Sequence, residues 1–451
     1  MKLIMLTSLY TAVSGMNANG TALSVIGDNI ANLNTVGFKG SDICFGDVLS
    51  QSITNAGSNS QIGRGVEVTK VSPSFTQGSF ETSSSGLDLG IDGDGMFIVN
   101  EGGVNFYSRA GQFSLDKNGN IVNPDGLILQ GYVADAAGNI TGNVGNLQIA
   151  TRQSPANPST QISMAVNLDA SATAPVAAFT LDANGDGIRN DPANYNSSSS
   201  TTVYDSQGGA HQVTTYFVKT GVNAWTAHYA VGDPSNPGQL MQAGQTSGGV
   251  GIAPAGAAVT QAMTFNTYGS LINDNSATVL AFNFGGGIVM PQNITFNYGT
   301  GTGEVPAGSG LDMTTQFASD FSVMNVSQDG YSAGSLKSIS VSNDGIITGM
   351  FTNGQTRPIG QVALARFVSP TALSKMGRNL YGESFDSGQP VVGTANTSGL
   401  GKILANSLEL SNVDLASEFV KMIAAQRGFE ANSKVITTTD QLMQLLVNLK
   451  Q

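Results

Sequence analysis

Few residues in this chain are placed to do chemistry. Asp182-Ala-Asn184-Gly-Asp186-Gly187 puts oxygen-bearing side chains at the first, third and fifth positions of a loop, with glycine at the sixth. That alternation is how a calcium loop gathers hard oxygen ligands around a sharp turn. Asn190 falls at position nine, but Ala193 stands at position twelve, where a bidentate glutamate belongs. Asp182, Asn184 and Asp186 therefore read either as a calcium site or as a glycine-rich surface turn. The two histidines, His211 and His228, lie in alternating runs with no cysteine or carboxylate at ligand spacing, and read as structural. Cys44 is the sole cysteine, which excludes an intramolecular disulfide and a multi-cysteine zinc site. It has no basic neighbour to lower its pKa and reads as a small inert apolar group. No nucleophile has a base beside it, so the expectation is no enzyme, and no cofactor other than calcium at the Asp182 loop. A glycosidase-type carboxylate pair, whose members can lie far apart in sequence, stays open.

The elements that would carry these residues follow from composition and periodicity. The chain has 451 residues, only 11% of them charged, and 57 glycines. Soluble proteins average ~25% charged and ~7% glycine, so this is an uncharged, turn-rich chain built largely of strands. Nineteen basic and 31 acidic residues leave a net charge of -12, which argues against nucleic acid, whose binding rests on Lys and Arg. No apolar run approaches the ~20 residues of a membrane-spanning helix, so no membrane insertion is expected.

At the N-terminus, Leu6, Leu9, Val13, Met16, Leu23, Ile26, Ile30 and Leu33 follow spacings of 3, 4, 3, 7, 3, 4 and 3. This places one apolar stripe on a helix about 42 Å long and runs straight through any cleavage point of a secretory signal. The other faces are Ser, Thr, Asn, Ala and Gly, which suits contact with further helices better than contact with water. An ordinary amphipathic helix capping a core is the alternative. At the C-terminus, Leu415, Phe419, Met422, Phe429, Ile436 and Met443 make a second stripe, for which Ser411 can act as N-cap with Asp414 three residues on. Between the tails, Asn118-Gly119, Asp125-Gly126, Asp344-Gly345 and Asn353-Gly354 are hairpin turn dipeptides flanked by apolar runs. The fold class expected is mixed, with long α-helical coiled-coil termini flanking nested all-β domains of barrel or sandwich type. The expected division is a helix over 1–35, a connecting segment over 36–70, and an inner β domain made of 71–150 plus 316–402. An outer β domain over 151–315 is inserted into it, and a C-terminal helix occupies 403–451.

Two motifs bring a family into view. Ala31-Asn32-Leu33-Asn34-Thr35-Val36-Gly37-Phe38-Lys39 resembles the motif shared by the rod and hook axial proteins of the bacterial flagellum. Leu408-Glu409-Leu410-Ser411-Asn412-Val413-Asp414-Leu415, followed by Met422 to Asn432 with Gln426 and Arg427, resembles that family's C-terminal motif. Asp92 to Phe97, Tyr107 to Gly111 and Gly360 to Ala365 are similar to its inner domain. The resemblance singles out Asn32, Thr35, Gly37, Phe38, Asn412, Asp414, Gln426 and Arg427 as motif residues, and implies that the two apolar stripes form the assembly interface. Within the family, a chain this long with a large β insertion looks like the hook branch, the curved tube joining rod to filament. A distal rod protein is the alternative. The resemblance also implies partners: further copies of the chain, the rod, hook-filament junction and hook cap proteins, and the type III export apparatus. It implies a place at the basal body and hook outside the cell, reached without a cleaved signal. A calcium-stabilised extracellular adhesin is the reading from a different class.

Overall fold

The computed structural model describes residues 2–49, 63–135, 138–149, 153–181, 193–235, 239–245, 259–275, 278–304 and 306–448. They form mostly strands, with one long helix near each end, and divide into two compact units. The first comprises Met1–Arg152, Lys337–Met350 and Thr356–Gln451. The second comprises Gln153–Leu336 and Phe351–Gln355.

In the first unit, helix α1 (Lys2–Ala31) contains Gly15, Gly20 and Gly27. Each interior glycine disfavours a helix by about 1 kcal/mol relative to alanine, so α1 depends on packing rather than on propensity. It ends where Asn32 turns its side chain back to the carbonyl of Asp28 at 2.9 Å and accepts the Thr35 N–H at 3.1 Å. Helix α2 (Leu415–Asn448) is capped by Asp414, whose two carboxylate oxygens accept the N–H groups of Ala416 and Ser417. The cap is thus Asp414 and not Ser411. Asn412 is tied to the backbone at Gly40, Ser74 and Thr76, which holds the chain out of helical conformation until it has passed that anchor.

Residues 36–70, expected as a plain connection, contain most of a long antiparallel hairpin of Ser41–Leu49 with Gly63–Pro73. Ile43 pairs with Val71 and Phe45 with Val68, so β-branched and aromatic residues sit across from one another. The stretch expected to open the C-terminal helix at 403 instead supplies two short strands. Lys402–Ala405 pairs with Leu89–Asp92, and Ser407–Glu409 pairs with Phe80–Thr82. The β body of this unit is built around Met96–Glu101, Ile128–Ala134 and Thr356–Arg366. Phe97, Val99, Val362 and Leu364 enter one core, while Met96, Ile98, Ala363 and Ala365 enter another on the opposite face. A sheet covered on both sides explains why these strands read as unbroken apolar runs rather than as alternation.

The second unit uses the opposite pattern. Among the described residues it has a six-stranded sheet around Ala210–Gly221 and Ala224–Gly232, and a four-stranded sheet in which Gln161–Asn167 lies parallel to Gln292–Asn297. Trp225, Ala227, Tyr229 and Val231 alternate inward from one sheet, Ile162, Met164 and Val166 from the other, and all share a single core. Both histidines lie here. His211 pairs with Asp205 at 2.7 Å and stacks on Phe284, so a carboxylate that its sequence spacing did not point to is its partner. His228 stacks on Phe179 at 4.2 Å, and burial pushes its pKa down to about 4.

The burial of His228 has a consequence for acid stability. An unfolded histidine takes up its proton near pH 6.5, whereas the folded one resists protonation until about pH 4. Its contribution is therefore complete above pH 6.5 and is lost progressively as the pH falls toward 4. His228→Gln should flatten the dependence of the urea midpoint on pH across that window, followed by the fluorescence of Trp225, the single tryptophan. An unchanged slope would show that His228 does not control it.

Candidate functional site

The feature that stands apart from the β cores is an arm made of α1, α2 and the hairpin packed on α1. The two helices run antiparallel, with Gly15 facing Asn432, Asn19 facing Gly428 and Asn29 bonded to Glu418. The face that α1 buries is Ala12, Gly15, Ala18, Ala22, Ile26 and Asn29. This is the expected apolar stripe displaced by one residue, or about 100° around the helix. The seam is made of small side chains, and its closest points are reciprocal. A Cβ on Gly15 would meet Asn432 Nδ2 at 2.7 Å, and one on Gly428 would meet Asn19 Oδ1 at 2.9 Å. Each asparagine also donates to the carbonyl four residues before it, Asn19 to Gly15 at 2.8 Å and Asn432 to Gly428 at 2.9 Å. The helices thus approach through glycine and are keyed by asparagine.

Apart from Ile26, the expected interface residues flank this seam rather than form it. Leu9, Val13, Met16, Leu23, Ile30 and Leu33 are half-buried, Ile26 is buried, and the side chain of Leu6 lies outside the described residues. On α2, Met422, Ile436 and Met443 are half-buried, whereas Leu415, Phe419 and Phe429 are exposed. One cluster does unite the stripes: Ala22, Ile26 and Ala425 at its centre, with Leu23, Ile30, Met422 and the hairpin's Ile43 packed on them.

At its base the arm meets the β body around one carboxylate. Glu409 is fully buried; its Oε1 accepts from Lys39 Nζ at 2.6 Å and from the Gly78 N–H at 3.0 Å, and its Oε2 accepts from Arg109 at 3.1 Å. Its carbonyl accepts the Gly37 N–H at 2.8 Å. Lys39 also donates to the Thr76 carbonyl at 2.7 Å, and Arg109 to the carbonyls of Ile91 and Gly93. Burial depresses the pKa of Lys39 below the usual lysine value, against the pull of Glu409. Gly37 has φ of 67°, and a Cβ there would lie 2.4 Å from the Ala110 nitrogen, so only glycine fits. Phe38 is buried beside it, with Lys375 Nζ 5.5 Å from its ring centre. A second polar knot lies higher on the arm. Asn29 exchanges hydrogen bonds with the backbone of Ser41 and donates to Glu418, and Lys421 bridges Glu418 and Asp42.

Of the motif residues, Asn32, Thr35, Gly37, Phe38, Asn412 and Asp414 gather at this junction, while Gln426 and Arg427 are exposed on α2. The charged core of the junction, Lys39, Arg109 and Glu409, was not singled out from the sequence. The signal available was that each is a charge set among apolar or small neighbours in a chain where only 11% of residues are charged. Cys44, expected to be an inert small apolar group, lies exposed on the hairpin. Asp182, Asn184 and Asp186 lie outside the described residues. Among the described residues no group of three or more potential metal ligands occurs. The geometry is that of a two-helix projection joined to a β body through a buried hydrogen-bond network.

Comparison with known proteins gives the following. Residues 9–39 match the family model described as flagella basal body rod protein, and 404–449 match the C-terminal region of flagellar basal body rod FlgEFG proteins. Residues 90–173 match the flagellar hook protein FlgE/F/G D1 domain, and 167–331 match the flagellar basal body protein FlaE D2 domain. The flagellar hook protein FlgE of Escherichia coli K12 is 35% identical over 443 residues, covering 97% of this chain and 99% of the relative. That of Borreliella burgdorferi is 34% identical over 468 residues, covering 99% and 100%. Among solved structures, Helicobacter pylori flagellar hook protein FlgE2 aligns at 15% identity with a TM-score of 0.46, over 72% of this chain and 98% of that one.

The seam separates two kinds of helix glycine. Gly20 and Gly27 face open space, so alanine at either should raise the stability of the arm by about 1 kcal/mol through propensity. Gly15 and Gly428 are in contact, so alanine there should lower it despite the same gain in propensity. Far-UV circular dichroism melts of the four variants would check the difference in sign, and uniform stabilisation would contradict a glycine-dependent seam.

Proposed function

This chain belongs to the flagellar hook protein family, and we propose that its helical arm is the surface through which copies of it polymerise. It is a structural subunit of the flagellar hook, with further copies of itself and other axial proteins of the flagellum as partners. Rod, hook-filament junction and hook cap proteins are the axial partners the reading entails, with passage through the type III export apparatus and no cleaved signal. Catalysis has no place in it. Among the described residues no helix is long and apolar enough to cross a membrane.

The observation that carries the assembly reading is the face of α2 turned away from α1. Leu415, Phe419, Val420 and Ile423 lie there unprotected, Val420 at 68% and Ile423 at 50% exposure. On the other side of α2, a separate groove of ≈ 370 Å³, lined by Ala22, Ile26, Ala425 and Phe45, opens between the helices and the hairpin. Burying one large apolar side chain is worth about 1.5–3 kcal/mol, so leaving this row in water is a standing penalty that contact with another copy removes. A contact between different patches on successive copies repeats without closing on itself, which is how a helical tube grows. The half-buried Leu9, Val13 and Met16 widen the surface along α1, and the paired helices act as a coiled coil completed by neighbouring subunits.

Substitutions sort accordingly. Ile30 and Met422 belong to the intrachain cluster, so aspartate at either would disturb the arm itself. Ile423→Asp alters an exposed position, where stability usually changes by no more than about 0.5 kcal/mol. The monomer's melting should be unchanged, and tube formation should be abolished in electron micrographs and in swimming assays. Normal tubes from Ile423→Asp and Phe419→Asp would remove α2 from the assembly surface.

A further inference from the structure

We propose that Glu409 is the positioning residue that seats the helical arm on the β body, and that the unmatched cation of Lys39 keeps this seat releasable. Two passages of chain join arm to body, 73–78 after the hairpin and 409–412 before α2, and the turn 37–40 that links α1 to the hairpin comes down to the same point. Glu409 belongs to the second passage, its side chain and carbonyl bond the other passage through Gly78 and the turn through Gly37 and Lys39, and Arg109 anchors the same carboxylate to the body. Arg109 belongs to the body through the carbonyls of Ile91 and Gly93, whereas Lys39 comes from the arm and bonds Glu409 and Thr76.

The charges do not balance. Lys39, Arg109 and Glu409 are all buried, and Glu409 is the one carboxylate within 4 Å of either cation among the described residues. The node therefore holds one positive charge too many, and Arg109 Nε is left without a hydrogen-bond acceptor. An uncompensated buried charge is the costly part of an ionic cluster, while a matched pair is tolerated and can often be replaced by apolar groups. The two halves of the Lys39–Glu409 bond then have opposite roles. Loss of the carboxylate leaves two cations buried together and should unseat the arm. Loss of the lysine charge leaves a neutral Arg109–Glu409 pair and should keep the arm seated. An ordinary stabilising ion pair would suffer from either change.

The test uses the full-length monomer and does not depend on the arm being the assembly surface. Spin labels at the natural Cys44 on the hairpin and at Val104→Cys on the body, both exposed, report the arm-to-body distance by electron–electron double resonance. Glu409→Gln should broaden the distance distribution and speed proteolysis between residues 73 and 79 by about tenfold or more. Lys39→Met should keep the distribution as narrow as in the parent, and Glu409→Gln combined with Lys39→Met should recover part of the narrowing. A narrow distribution in Glu409→Gln, or broadening by Lys39→Met equal to that of Glu409→Gln, would overturn the proposal. If Glu409→Gln does not fold, the Lys39→Met result decides alone. A released arm that still built normal tubes would instead count against the assembly reading.

Discussion

The first unit depends on a carboxylate with no access to water. Glu409 closes the strand Ser407–Glu409, stands five residues before the cap of α2, and receives donors from the segment leaving α1, from the return of the hairpin and from the β body. In a chain where 11% of residues are charged, three charges are spent at one buried point. A hydrophobic contact there would hold the same segments together but would tolerate sliding. Hydrogen bonds to backbone groups favour one geometry of arm on body.

The arm itself is built for proximity more than for stability. A seam of alanine and glycine brings two backbones close but removes little apolar surface from water, while ordering each residue costs about 1–2 kcal/mol in backbone entropy. Asn19 and Asn432 add direction, since each lies against a glycine of the opposite helix while bonding the backbone of its own. The large residues that would ordinarily stabilise a two-helix hairpin are displaced to its flanks, where a second molecule can reach them. Loose internal packing and apolar flanks left half-buried or exposed are two results of the same choice of small residues for the inner face.

The second unit has no such dependence. Its strands alternate, its sheets bury one face each, and its aromatic residues converge on a single core in which Tyr229, Gln261 and Tyr298 satisfy one another by hydrogen bonds.

Several features of the protein were legible in the amino-acid order alone. Paired long helices, a β-rich middle, the motif around Gly37 and the axial-protein resemblance all depend on local periodicity, turn residues and short motifs. Those signals act over a few residues and survive without knowledge of the partner. The pairing of Ser41–Leu49 with Gly63–Pro73 and the two short strands ahead of α2 were not legible, because each is fixed by cross-strand partners distant in sequence. The Lys39–Glu409–Arg109 node escaped for the same reason, since its members are 70 to 370 residues apart and each alone looks like a surface charge. The rotation of α1 by one residue is the plainest case. Periodicity identifies the helix and its apolar stripe, but which face meets the neighbouring helix is decided by how closely two backbones can approach. That distance is set jointly by Gly15 with Asn432 and by Asn19 with Gly428, so only the folded chain, with both helices in place, determines it.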